Sequence, residues 1–467
     1  MELSYSGFVL IGYMIVLLGV GIYAGRKTSS GEAFLIADRQ LGAVISGLAY
    51  AASSSSAWVL LGFTAFVANS GVSALWMVPG ILAGYAAVWF GVGPYLRQAA
   101  KREKWVSAID ILVSGCGPVE TRWLRPAAAV IVSVCFMLYI AAQFQASGVA
   151  LADVFAIRVD IAVVVSVAAV LVYTFLGGFL AVSLTDMIQG LSIAAVALIL
   201  PVIVVANSGG LDAVVDNIRL DLSAAGGSFS GQAGLAALGF VVGMLSIGFS
   251  ALGQPHLISW VMAVKDKRSR IAGGTVALVW ATLVYGGMAI IGLAMSQEAA
   301  TAAHGESLLL VAAGDAASPM VAALLSAAVV SAIMSTVDSQ LLVASGAISH
   351  DLVGMRFARG GGIAQLRIIT CVLCLLAIVL ALQLPSTIFD RVLFAWTALG
   401  AAFGPIIVAR ALKLELAPGF VLAAMMVGFS SAVIASQLAD SGPGAWLERT
   451  APWLLASSIL VLGRRRA

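Results

Sequence analysis

Long apolar stretches separated by short polar connections run along the whole chain. They fall at 6–25, 41–67, 71–96, 124–154, 160–176, 179–206, 233–263, 272–296, 317–349, 364–384, 388–411, 416–438 and 444–463. Each is long enough, as a helix, to cross about 30 Å of hydrocarbon. The pattern predicts one all-α polytopic membrane domain over 1–467 with about 13 transmembrane helices, called spans one to thirteen below. Glu448 and Arg449 interrupt the outer end of span thirteen, the weakest of the set.

Composition agrees with this pattern. Of 467 residues, 61% are hydrophobic and 10% charged, with mean hydropathy +1.06; a soluble globular protein is about a quarter charged. A net charge of only +3 gives no reason to expect nucleic acid. The four cysteines, Cys116, Cys135, Cys371 and Cys374, fall in spans or near one face, which argues against a disulfide framework. Span one is too long for a signal-peptide core and lacks a basic segment before it; Arg26 and Lys27 follow it. Placing the N-terminus outside puts all but four of the 25 Lys and Arg on the cytoplasmic side, the four being Arg158, Arg219, Arg391 and Arg449. The C-terminus is then cytoplasmic. No soluble domain is expected, and the KDKRSR loop reads as a lipid-facing charge cluster.

Two spans carry helix-weakening runs. Span two holds AASSSSA at 51–57, and span seven holds SIGFSALGQPH at 246–256, where Pro255 removes a backbone donor. A break at mid-membrane survives only where protein or a wet cavity satisfies the freed backbone. The two runs lie five spans apart. Spans two to six (41–206) and seven to eleven (233–411) therefore read as two five-helix repeats of opposite orientation, with span one (6–25) and two C-terminal spans (416–463) added. Matching breaks in inverted repeats point to a central solute and ion site; small residues also serve close helix packing.

Span nine faces this break with a polar stripe. Ala332, Ser335, Thr336 and Ser339 share one helical face, and Asp338 sits at its edge. Hydroxyls and free carbonyls are hard oxygen donors that suit a hard cation, although Ser and Thr also bond back to their own helix. Asp186 and Asp338 lie inside spans, where a carboxylate costs about 2.5–3.5 kcal/mol and marks a functional candidate. If both point inward, they hold a cation or share a proton. Trp58 and Tyr139 are candidates to pack a solute, and His256 to satisfy loosened backbone. No nucleophile–base pair within the membrane suggests an enzyme.

The chain resembles the sodium:solute symporter family, above all its sodium/proline branch. The resemblance rests on ADRQLG (37–42), LLGFTAFVANSG (60–71), YTFLGGFLAVSLTDMIQG (173–190), GQPH (253–256), MSTVDSQLLVASGAISHDL (334–352) and FAWTALGAAFGP (394–405), in order along nearly the whole chain. It implies a LeuT-like inverted-repeat fold with Na+ bound between spans two and nine. Carried over, the ligands are the carbonyls of Ala52, Ser55 and Ala332 and the hydroxyls of Ser335 and Thr336. A second cation or proton site comprises Asp186, Asp338 and Ser339, with Ser335 shared. The solute site comprises Ser53, Ser54, Ser56, Trp58, Tyr139, Ile247, Ala251, Gln254 and Pro255. The proline branch carries Asp at the position of Ser54, Ser at that of Asp338, and Trp and Tyr at those of Ile247 and Ala251. The solute pocket is therefore expected to be less aromatic and roomier beside span seven.

These readings predict sodium-coupled import of a small solute, an amino acid such as proline or a small organic acid, across the plasma membrane. Proton coupling through Asp186 and Asp338 is the alternative within transport. A solute sensor and a channel are alternatives of other classes.

Overall fold

The computed structural model describes residues 5–464 apart from 29, 224–226, 297–304, 306–307, 312–317, 354–361, 384–387 and 439–445. The predicted span ends at 317, 384 and 444, with His304, Arg465 and Arg466, lie outside the described residues. Helices follow the apolar stretches because hydrocarbon offers no partner for a free backbone N–H or C=O. Among the described residues there are no strands, only isolated bridges joining Leu41 to Val264 and Leu416 to Arg464.

Ten helices are long and apolar enough to cross a bilayer among the described residues. One of them, Ala43–Glu103, covers spans two and three. It turns at Gly71, whose φ of +59° suits glycine. Val159–Val172 and Trp446–Leu462 are shorter apolar helices in spans five and thirteen. Spans five and six form the helix Val159–Asn207, interrupted at Gly178 (φ 56°, ψ −151°), where the sequence places their boundary. In span eleven 89% of the most apolar window is buried, against 28% in spans one and ten. Span eleven is a core helix; spans one and ten face lipid.

Small residues let the helices approach closely, as expected where lipid gives no hydrophobic drive to associate. Gly84 of span three lies against Gly248 of span seven; a Cβ on Gly84 would stand 2.0 Å from the Gly248 carbonyl oxygen. The start of span two and the end of span seven are tied as well. Leu41 N–H donates to Ala263 C=O and Lys265 N–H to Leu41 C=O, both at 3.1 Å.

Several charges inside the bundle have partners. Arg449 meets Glu448 at 3.1 Å and donates to Thr397 Oγ1 at 2.9 Å, so the weak end of span thirteen turns its charges onto span eleven. Arg270 departs from the lipid-facing reading of its loop: it is buried and donates to the Trp89 carbonyl, while its neighbours Lys265, Lys267 and Arg268 are exposed. Asp266 caps the helix Lys267–Ala294, and the Ser269 backbone N–H holds its carboxyl below the usual range. Arg125 joins Asp110 at 2.8 Å and also Asp351, which His350 contacts at 2.9 Å. This cluster ties the 108–113 helix to the end of span nine. The guanidinium between its acids makes it an ion-pair network rather than a metal centre.

Substituting Gly84→Val should misfold the protein or cost at least the ~1–3 kcal/mol typical of overpacking. Gly12→Val, where a Cβ meets nothing within 4 Å, should leave the melting temperature in detergent nearly unchanged. Equal melting of both variants would contradict the close contact.

Candidate functional site

The serine run of span two stays helical up to Ser55 and breaks at one residue. Ser56 has φ 49° and ψ −177° inside Ala43–Ala57. The hydroxyls of Ser54 and Ser55 donate back to Ala51 C=O, both at 2.8 Å. Span four satisfies the break: Gln143 Oε1 accepts from Ala57 N–H at 3.0 Å, and Tyr139 donates its hydroxyl to Ser56 Oγ at 3.2 Å. Ser56 Oγ also accepts from Trp58 N–H at 3.2 Å, capping the outer half-helix.

Span nine lies against the inner half. Ser335 Oγ donates to Ala52 C=O at 3.2 Å and Ala332 C=O at 3.3 Å. Thr336 Oγ1 donates to Ser53 C=O at 2.9 Å and Ala332 C=O at 3.1 Å. All five residues are wholly buried. The structure thus brings Ala52, Ala332, Ser335 and Thr336 together and adds the carbonyl of Ser53, which the sequence assigned to the solute. The Ser55 carbonyl, also assigned to the ion, accepts from Trp58 N–H at the break. Neutral oxygens without a carboxylate suit a monovalent hard cation: they replace water without adding buried charge.

The second predicted set adjoins the first. Asp186 and Asp338 are wholly buried with their carboxyls side by side. Neither Asp186 oxygen has a donor in ordinary hydrogen-bond geometry. Ser339 N–H donates to Asp338 Oδ1 at 2.6 Å, and Ser339 Oγ pairs with Ser53 Oγ at 2.6 Å. Two adjacent buried carboxyls, with no ordinary donor to the Asp186 oxygens, call for a cation or proton between them.

Beyond Ser56 lies a narrow cavity lined by Ser54, Trp58, Ile81, Tyr85, Tyr139, Ile247, Gly248, Tyr285, Val392 and Trp396. Its volume of about 10 Å³ holds roughly one water. Of the predicted solute residues, Ser54, Trp58, Tyr139 and Ile247 line it. Ser56 sits behind Tyr139, and Ser53 turns to span nine. Ala251, Gln254 and Pro255 lie elsewhere: span seven runs as a short 3₁₀ turn over Ser250–Gly253, and Gln254 then redirects it. Gln254 Nε2 donates to Trp396 C=O at 2.9 Å, and Trp396 Nε1 to Ile247 C=O at 2.8 Å, bracing that break. Pro255 lines a separate cavity with Ser107 and Gly346. His256 packs edge-on to Phe136 with neither ring nitrogen bonded, so it does not satisfy the backbone as expected.

The expected roomy, less aromatic pocket is not what the structure contains. Aromatic rings absent from the sequence assignment close it. Tyr285 packs edge-on to Trp58 with centroids 6.0 Å apart, and the Tyr85 hydroxyl bonds Ser54. Tyr85 and Tyr285 come from spans three and eight, and nothing local distinguishes them from packing aromatics.

The model of the sodium:solute symporter family matches residues 34–428. The chain belongs to the sodium:solute symporter family. Similar relatives include the high-affinity proline transporter PutP of Bacillus subtilis, 27% identical over 95% of this chain and 94% of the relative. The sodium/proline symporter of Escherichia coli is 28% identical over 93% and 89%. Among solved structures, a substrate-bound, outward-open Na+-coupled sialic acid symporter superposes with TM-score 0.78 at 16% identity, covering 99% of both chains. Mhp1, a nucleobase-cation-symport-1 family transporter, superposes with TM-score 0.59 at 12% identity over 93% and 94%. The fold is that of LeuT-like transporters. This symporter is a multi-pass membrane transporter with sodium as coupling ion, not an enzyme.

Gln143→Leu removes the acceptor of the Ala57 N–H and should cost about 1–3 kcal/mol, read as a lower melting temperature. An unchanged value would mean that the break needs no support from span four.

Proposed function

We propose that the protein is a secondary active importer of the plasma membrane, N-terminus outside and C-terminus cytoplasmic, that carries a small amino acid inward with sodium. Proline is the first candidate solute, because the curated relatives named above are proline transporters. One observation carries the reading: Ser335 and Thr336 hydroxyls meet the carbonyls of Ala52 and Ser53 directly beside the break at Ser56.

In this reading Na+ is held by the carbonyls of Ala52, Ser53 and Ala332 and by the two hydroxyls, whose protons rotate away. Direct hydroxyl–carbonyl bonds are exchanged for a shared ion that ties span two to span nine. The solute cavity lies on the other side of Ser56, with Tyr139 bonded to Ser56 and Trp58 on the outer half-helix. Ion and solute therefore bias the same residue, and each raises affinity for the other by the same factor. The two five-helix units, 41–206 and 233–411, then rock to expose the site to either side. One charge crossing about 100 mV contributes about 2.3 kcal/mol, near fiftyfold accumulation.

The solute follows from the walls. The N-terminal end of the half-helix after Ser56 favours a carboxylate, and Trp58, Tyr85, Tyr285 and Trp396 offer apolar faces to a compact body. The cavity of about 10 Å³ must widen to admit it, and the Tyr85 and Tyr285 rings are the groups to swing. A second reading, proton coupling or a further cation at Asp186 and Asp338, is favoured by the adjacency of those carboxyls.

Thr336→Val keeps the shape and removes one ligand. It should raise the sodium concentration for half-maximal uptake in proteoliposomes at least tenfold, the factor for ~1.4 kcal/mol; an unchanged sodium dependence would refute the site. A panel of radiolabelled solutes, tested with and without a sodium gradient, identifies the cargo. Gradient-independent equilibration would instead indicate a channel, and binding without uptake a sensor. Asp338→Asn should change the sodium Hill coefficient or the pH response; if both stay as in wild type, the second site is excluded.

A further inference from the structure

The end of span eleven carries a charge that the transport site does not explain. Arg410 is only 8% exposed, yet among the described residues no carboxylate pairs with it. Its guanidinium reaches Leu112 C=O at 3.4 Å and Cys116 Sγ at 3.5 Å, and its Nε has no partner. A buried cation held only by two long contacts lacks a counter-charge.

That guanidinium lines a cavity of about 650 Å³ where the ends of spans three and eleven meet the connection around Trp105. Lys413 stands on the same wall, exposed. Arg102, also on the wall, is already paired with Glu103 at 2.7 Å. Glu415 is the one further carboxylate of the lining, so the balance stays positive. Tyr95 and Trp105 pack with centroids 6.1 Å apart beside it, the amphipathic rings that settle at headgroup depth. Leu412, between the two free cations, is 66% exposed and offers an apolar surface to an acyl chain.

We propose that this cavity binds a phosphate group carried by an anionic phospholipid of the leaflet at the lysine- and arginine-rich end of the bundle. Arg410 meets the phosphate oxygens with its planar fork, and Lys413 adds a point charge at the rim. The source is assigned to lipid because Tyr95 and Trp105, rings of the kind that settle at headgroup depth, line the cavity, and basic pockets at helix ends attract anionic lipid. The site is independent of the sodium and solute positions.

The test reconstitutes the full chain in nanodiscs of phosphatidylcholine, with or without phosphatidylglycerol. Native mass spectrometry counts retained lipid, and melting temperature gives a second readout. Wild type should retain phosphatidylglycerol and melt higher with it. Lys413→Gln, at an exposed position, should weaken retention about fivefold, the change expected for one basic residue near the surface. Arg410→Gln should weaken it further and Arg410→Lys less. Lys101→Gln, exposed and outside the cavity, should leave it unchanged. Equal loss with Lys101→Gln, or no preference for phosphatidylglycerol, would overturn the site. Inorganic phosphate is added to phosphatidylcholine discs as a separate arm. Stabilisation there that matches phosphatidylglycerol and is lost in Lys413→Gln would reassign the cavity to free phosphate and overturn the lipid source.

Discussion

The molecule depends on two hydroxyls of span nine meeting two backbone carbonyls of span two, in a place where neither helix can turn to water. Ser335 and Thr336 are wholly buried, and so are Ala52 and Ser53. Those carbonyls face across the interface because Ser56 leaves helical geometry a few residues later. Gln143, Tyr139 and the Ser56 hydroxyl absorb the remaining polarity of the break. The break is thus held by named bonds, with oxygens of neutral charge collected on one side and aromatic rings on the other. In the proposed reading sodium takes the first side, and a compact solute the second once the cavity widens.

Much of this was legible in the sequence. The spans were readable because a bilayer imposes length and apolarity on every crossing segment. Charges inside spans, such as Glu448 and Arg449, blurred single ends without hiding the helices. The stripe Ala332, Ser335, Thr336 was readable because helical spacing alone puts those residues on one face. The location of the break was legible to within a few residues, but not its extent: four serines suggested an unwound stretch, and the chain unwinds at Ser56 alone. Next to it the Ser53 carbonyl, assigned from the sequence to the solute, receives the Thr336 hydroxyl.

The aromatic side of the break was far less legible. Its walls come from spans two, three, four, seven, eight and eleven, so no local pattern marks them. A tyrosine such as Tyr85 looks the same in sequence whether it packs a core or closes a pocket. The substitution of smaller residues at Ile247 and Ala251 suggested space, yet rings from spans three and eight fill it. Cavity shape is a sum over distant segments, whereas ligand stripes are a property of one helix.

The backbone stitch between Leu41 and the 263–265 segment has a mechanical consequence. It fastens the start of span two to the end of span seven, so that, in the proposed rocking motion, these two arms would swing as one lever. The pivots must then sit farther along each arm, at Ser56 and Gln254, where the backbone already leaves its coil. The kink that turns backbone oxygen toward span nine would then double as one elbow of the machine, and the Gln254 kink, braced by Trp396, as the other.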